Sequence, residues 1–368
     1  MQNDEEAIKV LYGDDSSGKS KYAKLKYSFK QRLLNMVLLI EPQSKDDTVE
    51  KKWFFFHCYR SYLTSYFLVL LGARKVGIPM LEQLLPTLEL HEFTVLTLES
   101  SKLLRQHYAT IEGNLEKAMQ YDQYVQEYLE LYSLETKVEG QLHILESYYV
   151  LKKSNNRTVH ELARQYSAPL SSTMLQKASS RLAYKVGMID IIKCMSVFEY
   201  AKAAEICEST IGILKSKQKL DYTGLSIIYF QWIICATQLA DFENAKTIGQ
   251  EALKYLNAGS FNWFKGISVV LELCLKTKNY SDAFHYFREA TNHANFDKLS
   301  ELVKEEWRIY EIYIYLLVAA EKIPYSTVKP KNFSKVRKFL NEVSNFSRDK
   351  AGMNVHILLG YLISFNLS

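Results

Sequence analysis

The sequence is sparing with residues that break helices. Six prolines and fourteen glycines are spread over 368 residues. Alternating runs of valine and threonine, the mark of half-buried strands, are missing as well. Few breakers and no strand pattern together predict helices nearly throughout. Cysteine is also scarce. The five, Cys58, Cys194, Cys207, Cys235 and Cys274, are scattered, odd in number and never in a CxxC pair. That argues against a disulfide framework and against a zinc knuckle. Cys194, Cys235 and Cys274 fall on helix stripes, where a reduced thiol is a small core residue. A reducing, cytoplasmic compartment is therefore expected. No apolar run spans a bilayer: Tyr62 to Leu71 and Ile309 to Ala320 are both too short. No membrane partner is expected, and the acidic start, Met1-Gln2-Asn3-Asp4-Glu5-Glu6, does not read as a secretory signal.

Catalytic signatures are lacking too. G-x-S-x-G does not occur. Glu161 follows His160, but no histidine lies four residues on, so there is no zinc-binding helix. His285 and His293 stand two helical turns apart, too far to share an ion. No enzymatic activity, metal or cofactor is expected.

What is present is a hydrophobic content of 48%, enough for a large core, and a mild net charge of +5 that permits an anionic partner without demanding one. The most organised stretch runs from Leu225 to Asn295. Tyr229, Trp232, Ile233 and Ala236 recur at i, i+3, i+4 and i+7, a single packing stripe. After a polar break, Asp241 stands where a side-chain oxygen caps the next helix. Phe242 is expected to fold back on the first helix, and Ala245 is small where two helices cross. Ile248, Ala252 and Leu256 continue that buried face. A second unit repeats the plan. Its stripe is Trp263, Ile267, Val270, Leu271 and Cys274, its break is Asn279-Tyr280-Ser281-Asp282-Ala283, and Phe287 and Ala290 follow on the inner face.

Asp241-Phe242-Glu243-Asn244-Ala245 with Ala252, and Asn279 to Ala283 with Phe287 and Ala290, resemble the second helix of tetratricopeptide repeats. Phe198-Glu199-Tyr200-Ala201-Lys202-Ala203 resembles the same place one unit earlier. The matching alanines, Ala203, Ala245 and Ala283, recur at intervals of 42 and 38 residues, longer than the regular repeat of about 34. Ile233 and Leu271 occupy positions where that family carries glycine or alanine, and the closing proline is missing. The resemblance implies an all-α, TPR-like α-solenoid of stacked antiparallel helix hairpins over residues 137–368. Residues 1–136 are expected to form an N-terminal helical region packed onto it. Both ends of the chain resemble bacterial helical-repeat proteins with longer C-termini.

Elsewhere, helices are predicted over 3–12, Lys19 to Ile40 and Thr48 to Gly72. Another starts at Gly77-Ile78-Pro79, and more lie near 92–111, 114–133, 139–152 and 157–167. Gly113 to Ala118 resembles the repeat break again. Ala168-Pro169-Leu170-Ser171-Ser172 punctuates the chain, a helix follows from Leu299 to Glu321, and a last pair is expected near 333–346 and 353–366.

Three local patterns carry chemistry. Gly13-Asp14-Asp15-Ser16-Ser17-Gly18-Lys19-Ser20 fits G-x-x-x-x-G-K-[ST], with Ile8 to Tyr12 as the preceding strand of a P-loop. Two aspartates in a phosphate nest and the lack of a Walker B partner favour a plain polar turn. Thr158 to Tyr166 followed by Ser171-Ser172-Thr173-Met174 has the outline of a helix-turn-helix, although the turn is long and holds Pro169. Lys19, Lys21, Lys24, Lys26, Lys30 and Arg32 form a basic helix face suited to phosphates or simply to water, and Lys329 to Lys338 form a second basic cluster.

Carried over residue by residue, the resemblance places a partner-binding groove on the inner faces of the leading helices. The first unit contributes Lys185, Met188, Ile192 and Met195. The second contributes Ile227, Phe230, Ile234 and Thr237, and the third Lys265, Ser268, Glu272 and Leu275. A protein or peptide partner is expected there. The alternative is a nucleic-acid-associated regulator using the basic N-terminal helix, and a P-loop NTPase built on Gly13 to Ser20 comes third.

Overall fold

The structure is a computed structural model, and it describes residues 3–13, 15–37, 47–150, 156–167 and 179–323. Among these residues there are fourteen α-helices and no strand. The chain divides into two compact units, Met1–Tyr132 and Ser133–Ser368. The pair expected near 333–346 and 353–366, the Ala168–Ser172 punctuation and the basic cluster Lys329 to Lys338 lie outside the described residues.

In the first unit, α1 (Asp4–Tyr12), α2 (Gly18–Val37), α3 (Asp47–Leu70), α4 (Arg74–Leu90) and α5 (Thr94–His107) follow in order. Asn3 caps α1, its side chain accepting from the Glu5 N–H. The core gathers where α3 meets α4: Cys58, Val69, Ile78, Leu81, Leu85, Leu88 and Phe93 join Leu104, Tyr108 and Tyr121. The sequence expectation that α4 begins at Gly77-Ile78-Pro79 is corrected. A tight turn at Gly72 restarts the helix at Arg74, leaving Pro79 inside it. Gly77 marks the helix crossing instead. A β-carbon there would stand 2.8 Å from the Ser65 carbonyl oxygen, so α3 and α4 approach backbone to backbone.

The fifth helix ends in one π-helical turn, Tyr108–Glu112, closed by Gly113 in the left-handed region. The next helix, α6 (Leu115–Val150), then runs without a break. Separate helices near 114–133 and 139–152 were expected. No proline and a single glycine, Gly140, fall between Leu115 and Val150, so nothing in that span forces a turn.

The second unit carries α7 (Asn156–Tyr166), α8 (Ser180–Met195), α9 (Tyr200–Lys215), α10 (Tyr222–Gln238), α11 (Phe242–Leu253), α12 (Phe261–Lys276), α13 (Tyr280–Thr291) and α14 (Glu301–Ala319). Consecutive helices pack as hairpins, and α8 also touches α10. Ala203, Ala245 and Ala283 are fully buried, as small residues at helix crossings must be. Ile233 and Leu271 fill with aliphatic bulk the places where the tetratricopeptide pattern has a small residue, and both are buried. Asp241 caps α11, its carboxylate accepting from the Asn244 N–H at 3.3 Å. Phe242 is half-buried, with Lys276 of α12 over its ring, 5.1 Å from the ring centre.

One turn recurs. After α3, α4, α8, α10, α12 and α14 a single residue takes positive φ: Gly72, Glu92, Phe198, Ala240, Lys278 and Glu321. In each case the next N–H reaches back five residues, as Asp241 N–H does to the Ala236 carbonyl at 2.9 Å and Asn279 N–H to Cys274 at 2.8 Å. This is the Schellman closure. Where a hairpin follows, the returning helix begins two residues after the left-handed one. The repeat is thus a repeat of backbone geometry, and it occurs in both units.

Candidate functional site

The expected groove residues lie on α8, α10 and α12, and the structure sorts them by what their neighbours leave free. On α8, Met188 and Ile192 are buried, and Met195 packs half-buried beside Cys194, Ala203 and Cys235. Lys185 reaches across to Glu139 of α6 at 3.0 Å. On α12, Lys265 pairs with Glu306 of α14, and Glu272 accepts from the Tyr310 hydroxyl of the same helix. Ser268 is buried and turns its hydroxyl back on the Lys265 carbonyl. Burial, with Glu272 beside it, pushes the Tyr310 hydroxyl well above the usual phenol range. These contacts join one leading helix to the next.

The middle helix behaves differently. Phe230 of α10 lies over Gly266 of α12, where a β-carbon would come within 3.5 Å of its ring. Ile227 and Thr237 are half-buried beside it in sequence. Ile234 is 41% exposed, although its helix neighbours Ile233 and Cys235 are buried. α10 is apolar on two faces, and the stripe through Tyr229 and Ile233 is the one its own hairpin consumes. The break after α8 adds two more exposed apolar side chains, Val197 and Phe198, and the break after α10 adds Leu239.

A narrow cleft in the same unit opens between α6, α7 and α8, lined by Leu134, Val138, Gln141, Tyr166, Ser167, Val186 and Ile189. At about 30 Å³ it holds one water rather than a side chain. Beside it the Ser167 hydroxyl donates to Asp190 at 2.5 Å and accepts from Lys193 at 2.7 Å. That charge-paired knot fastens α7 to α8, as does His160 against the Lys193 carbonyl at 3.0 Å. The first helix of the expected helix-turn-helix is therefore α7, packed through buried Val159 and Ala163. The residues expected to open its second helix, Ser171 to Met174, lie outside the described residues.

The P-loop lettering meets a clear correction. Ile8 to Tyr12 belong to helix α1 rather than to a strand, and Gly18 already lies in α2. Asp15 fills the turn itself, accepting from the Ser17 N–H at 2.8 Å and pairing with Lys21 at 2.7 Å. Those contacts hold its carboxyl well below the usual range, the Lys21 bond foremost. A turn already occupied by a carboxylate repels a phosphate.

One polar cluster was not anticipated from the sequence. In the first unit Glu82 of α4 accepts from Tyr108 at 2.7 Å, Lys117 at 3.0 Å and Tyr121 at 3.2 Å. Burial opposes the Glu82 charge, but these bonds outweigh it, and the carboxyl sits below its usual range. The only sequence trace is the tyrosine stripe Tyr121, Tyr124 and Tyr128 on α6. Among the described residues no group of three or more metal-ligating side chains comes together. No helix of these residues is long and apolar enough to cross a membrane.

No family model matches this chain, and no curated protein matches it. Among solved structures it is similar to RapI in its apo form, at 15% identity over 99% of this chain and 97% of that one, with a TM-score of 0.39.

Proposed function

We propose that this chain is a non-enzymatic scaffold that binds a protein or peptide against the leading helices of its second unit. The observation that supports this reading is α10. An apolar helix whose stripe is already consumed by its own hairpin still presents Ile234 to solvent, with Ile227 and Phe230 half-buried beside it. A fixed hairpin that leaves one apolar side chain open between half-buried apolar neighbours suits an extended or helical ligand. Lys265 and Glu272, by contrast, are engaged by Glu306 and Tyr310 of α14, and Ser268 is buried. A peptide selected against the purified chain should lose about tenfold or more in affinity with Ile234→Glu, roughly 1.4 kcal/mol. The melting temperature should change little, because that side chain is 41% exposed. Undiminished binding by Ile234→Glu would place the ligand elsewhere and end this reading.

A second reading, contact with nucleic acid through α2, draws on one observation. Lys19, Lys24, Lys30 and Arg32 have no acidic partner among the described residues, whereas Lys21 and Lys26 are paired with Asp15 and Asp4. Duplex binding that weakens steeply with salt would support it.

A further inference from the structure

The apolar stripe of α2 lies open. Leu25, Phe29, Leu33 and Met36 stand on one helical face at 46–59% exposure. Only its first turns are covered: the Tyr22 hydroxyl and the Lys26 ammonium both donate to Asp4 of α1, and Gly18 sits under Ile8 and Tyr12. α3 carries a second open stripe. Cys58, Ser65 and Val69 are its buried face. On the other side Phe56, Tyr59, Leu63, Phe67 and Leu70 recur at i, i+3, i+7, i+11 and i+14, and all are exposed. The open part of the α2 stripe, Leu25 to Met36, covers twelve residues and the α3 stripe, Phe56 to Leu70, fifteen, about 17 and 21 Å of helix. Exposed apolar stretches of this extent mark an interface.

We propose that the occupant is a second copy of this chain, with α2 of one protomer seated on α3 of its partner and the reverse contact made at the same time. Each chain carries both halves, so two copies close on themselves with neither stripe left over. Charge selects this pairing over α2 on α2. The α2 stripe is edged by Lys21 and Arg32 on one side and by Lys26 and Lys30 on the other. Two such helices face to face would set like charges in opposing rows. Between Trp53 and Leu70, α3 carries one charged side chain, Arg60, so cations at the rim of α2 stay in water beside a nearly uncharged surface.

Light scattering on the eluting full-length chain tests this. The wild type should run as a dimer at micromolar concentration, and Phe29→Glu and Phe67→Glu should each run as monomers with unchanged helical circular dichroism. Mixing those two variants should recover dimer, because the mixed pair keeps one wild-type α2 on one wild-type α3. Leu33→Gln and Leu63→Gln serve as milder variants should either glutamate disturb folding. A monomeric wild type at about a hundred micromolar, a dimer that survives Phe67→Glu, or a mixture that stays monomeric overturns the proposal.

Discussion

Replacing Ala240 with glycine should stabilise the protein, although glycine is the residue that weakens helices most after proline. Ala240 holds φ at 60°, the left-handed region, in the turn that closes α10. An L-residue with a β-carbon held there carries roughly 1–2 kcal/mol of strain. Glycine removes that strain but gives up about 0.5–1 kcal/mol through its greater freedom in the unfolded chain. The methyl is exposed, so no packing is lost, and the net gain is about 0.5–1 kcal/mol. For a unit of this size that is about 1–4 °C in melting temperature. The control is Ala236→Gly, four residues earlier. Ala236 is a buried helix-interior residue, so the same chemical change there costs about 1 kcal/mol in helix propensity and about 0.8 more in lost burial. Urea titrations followed by circular dichroism should move the two midpoints in opposite directions at equal slope. A lower midpoint for Ala240→Gly would show that the turn is not strained, and the same inference for Glu92, Phe198 and Lys278 would go with it.

Gly187 should tolerate nothing larger. A β-carbon there would meet the Thr210 hydroxyl oxygen at 2.5 Å, so Gly187→Ala is expected to cost about 1–3 kcal/mol by overpacking. Thr210→Ala should recover part of that loss in the double variant, read as a coupling in the urea midpoints. The Glu82 cluster predicts acid sensitivity. Its carboxyl is held below the usual range, so its contribution is complete above the unfolded value of about 4.3 and is lost as pH falls through the lower, folded value. Stability of the wild type should decline from about pH 5 downward, and Glu82→Gln should flatten that decline. An equal acid slope in both proteins would remove the cluster from the account.

Hairpin identity was legible because it depends on spacing alone. Ala203, Ala245 and Ala283 had to be small at helix crossings, and Asp241 had to cap, from the order of the letters. The turn that joins each pair was illegible for the opposite reason. Punctuation is read from glycine and proline, yet the left-handed position is filled by glutamate, phenylalanine, alanine or lysine at all but one of the turns after α3, α4, α8, α10 and α12. Tertiary packing and the five-residue hydrogen bond impose the geometry on residues that do not favour it. The G-x-x-x-x-G-K-S lettering failed in the same way. Gly13 does close α1 at positive φ, but a phosphate nest also needs the flanking strand, and Asn3 with the acidic first turn of Asp4, Glu5 and Glu6 starts a helix there instead.

The groove was half legible, and the missing half has a definite physical source. A helix that is apolar on two faces announces two contacts, but its own sequence does not say which face the next repeat takes. Lys265 and Glu272 are satisfied by Glu306 and Tyr310, 41 and 38 residues later, and Phe230 by Gly266 on the following leading helix. Whether a groove position is open is therefore a property of the neighbouring repeat. Ile234 stays open, although Phe230, one turn earlier on the same helix, is taken up by the next repeat. The substitution that separates binding from folding thus belongs at Ile234, while Phe230→Glu would force a charge between α10 and α12 and disturb both at once.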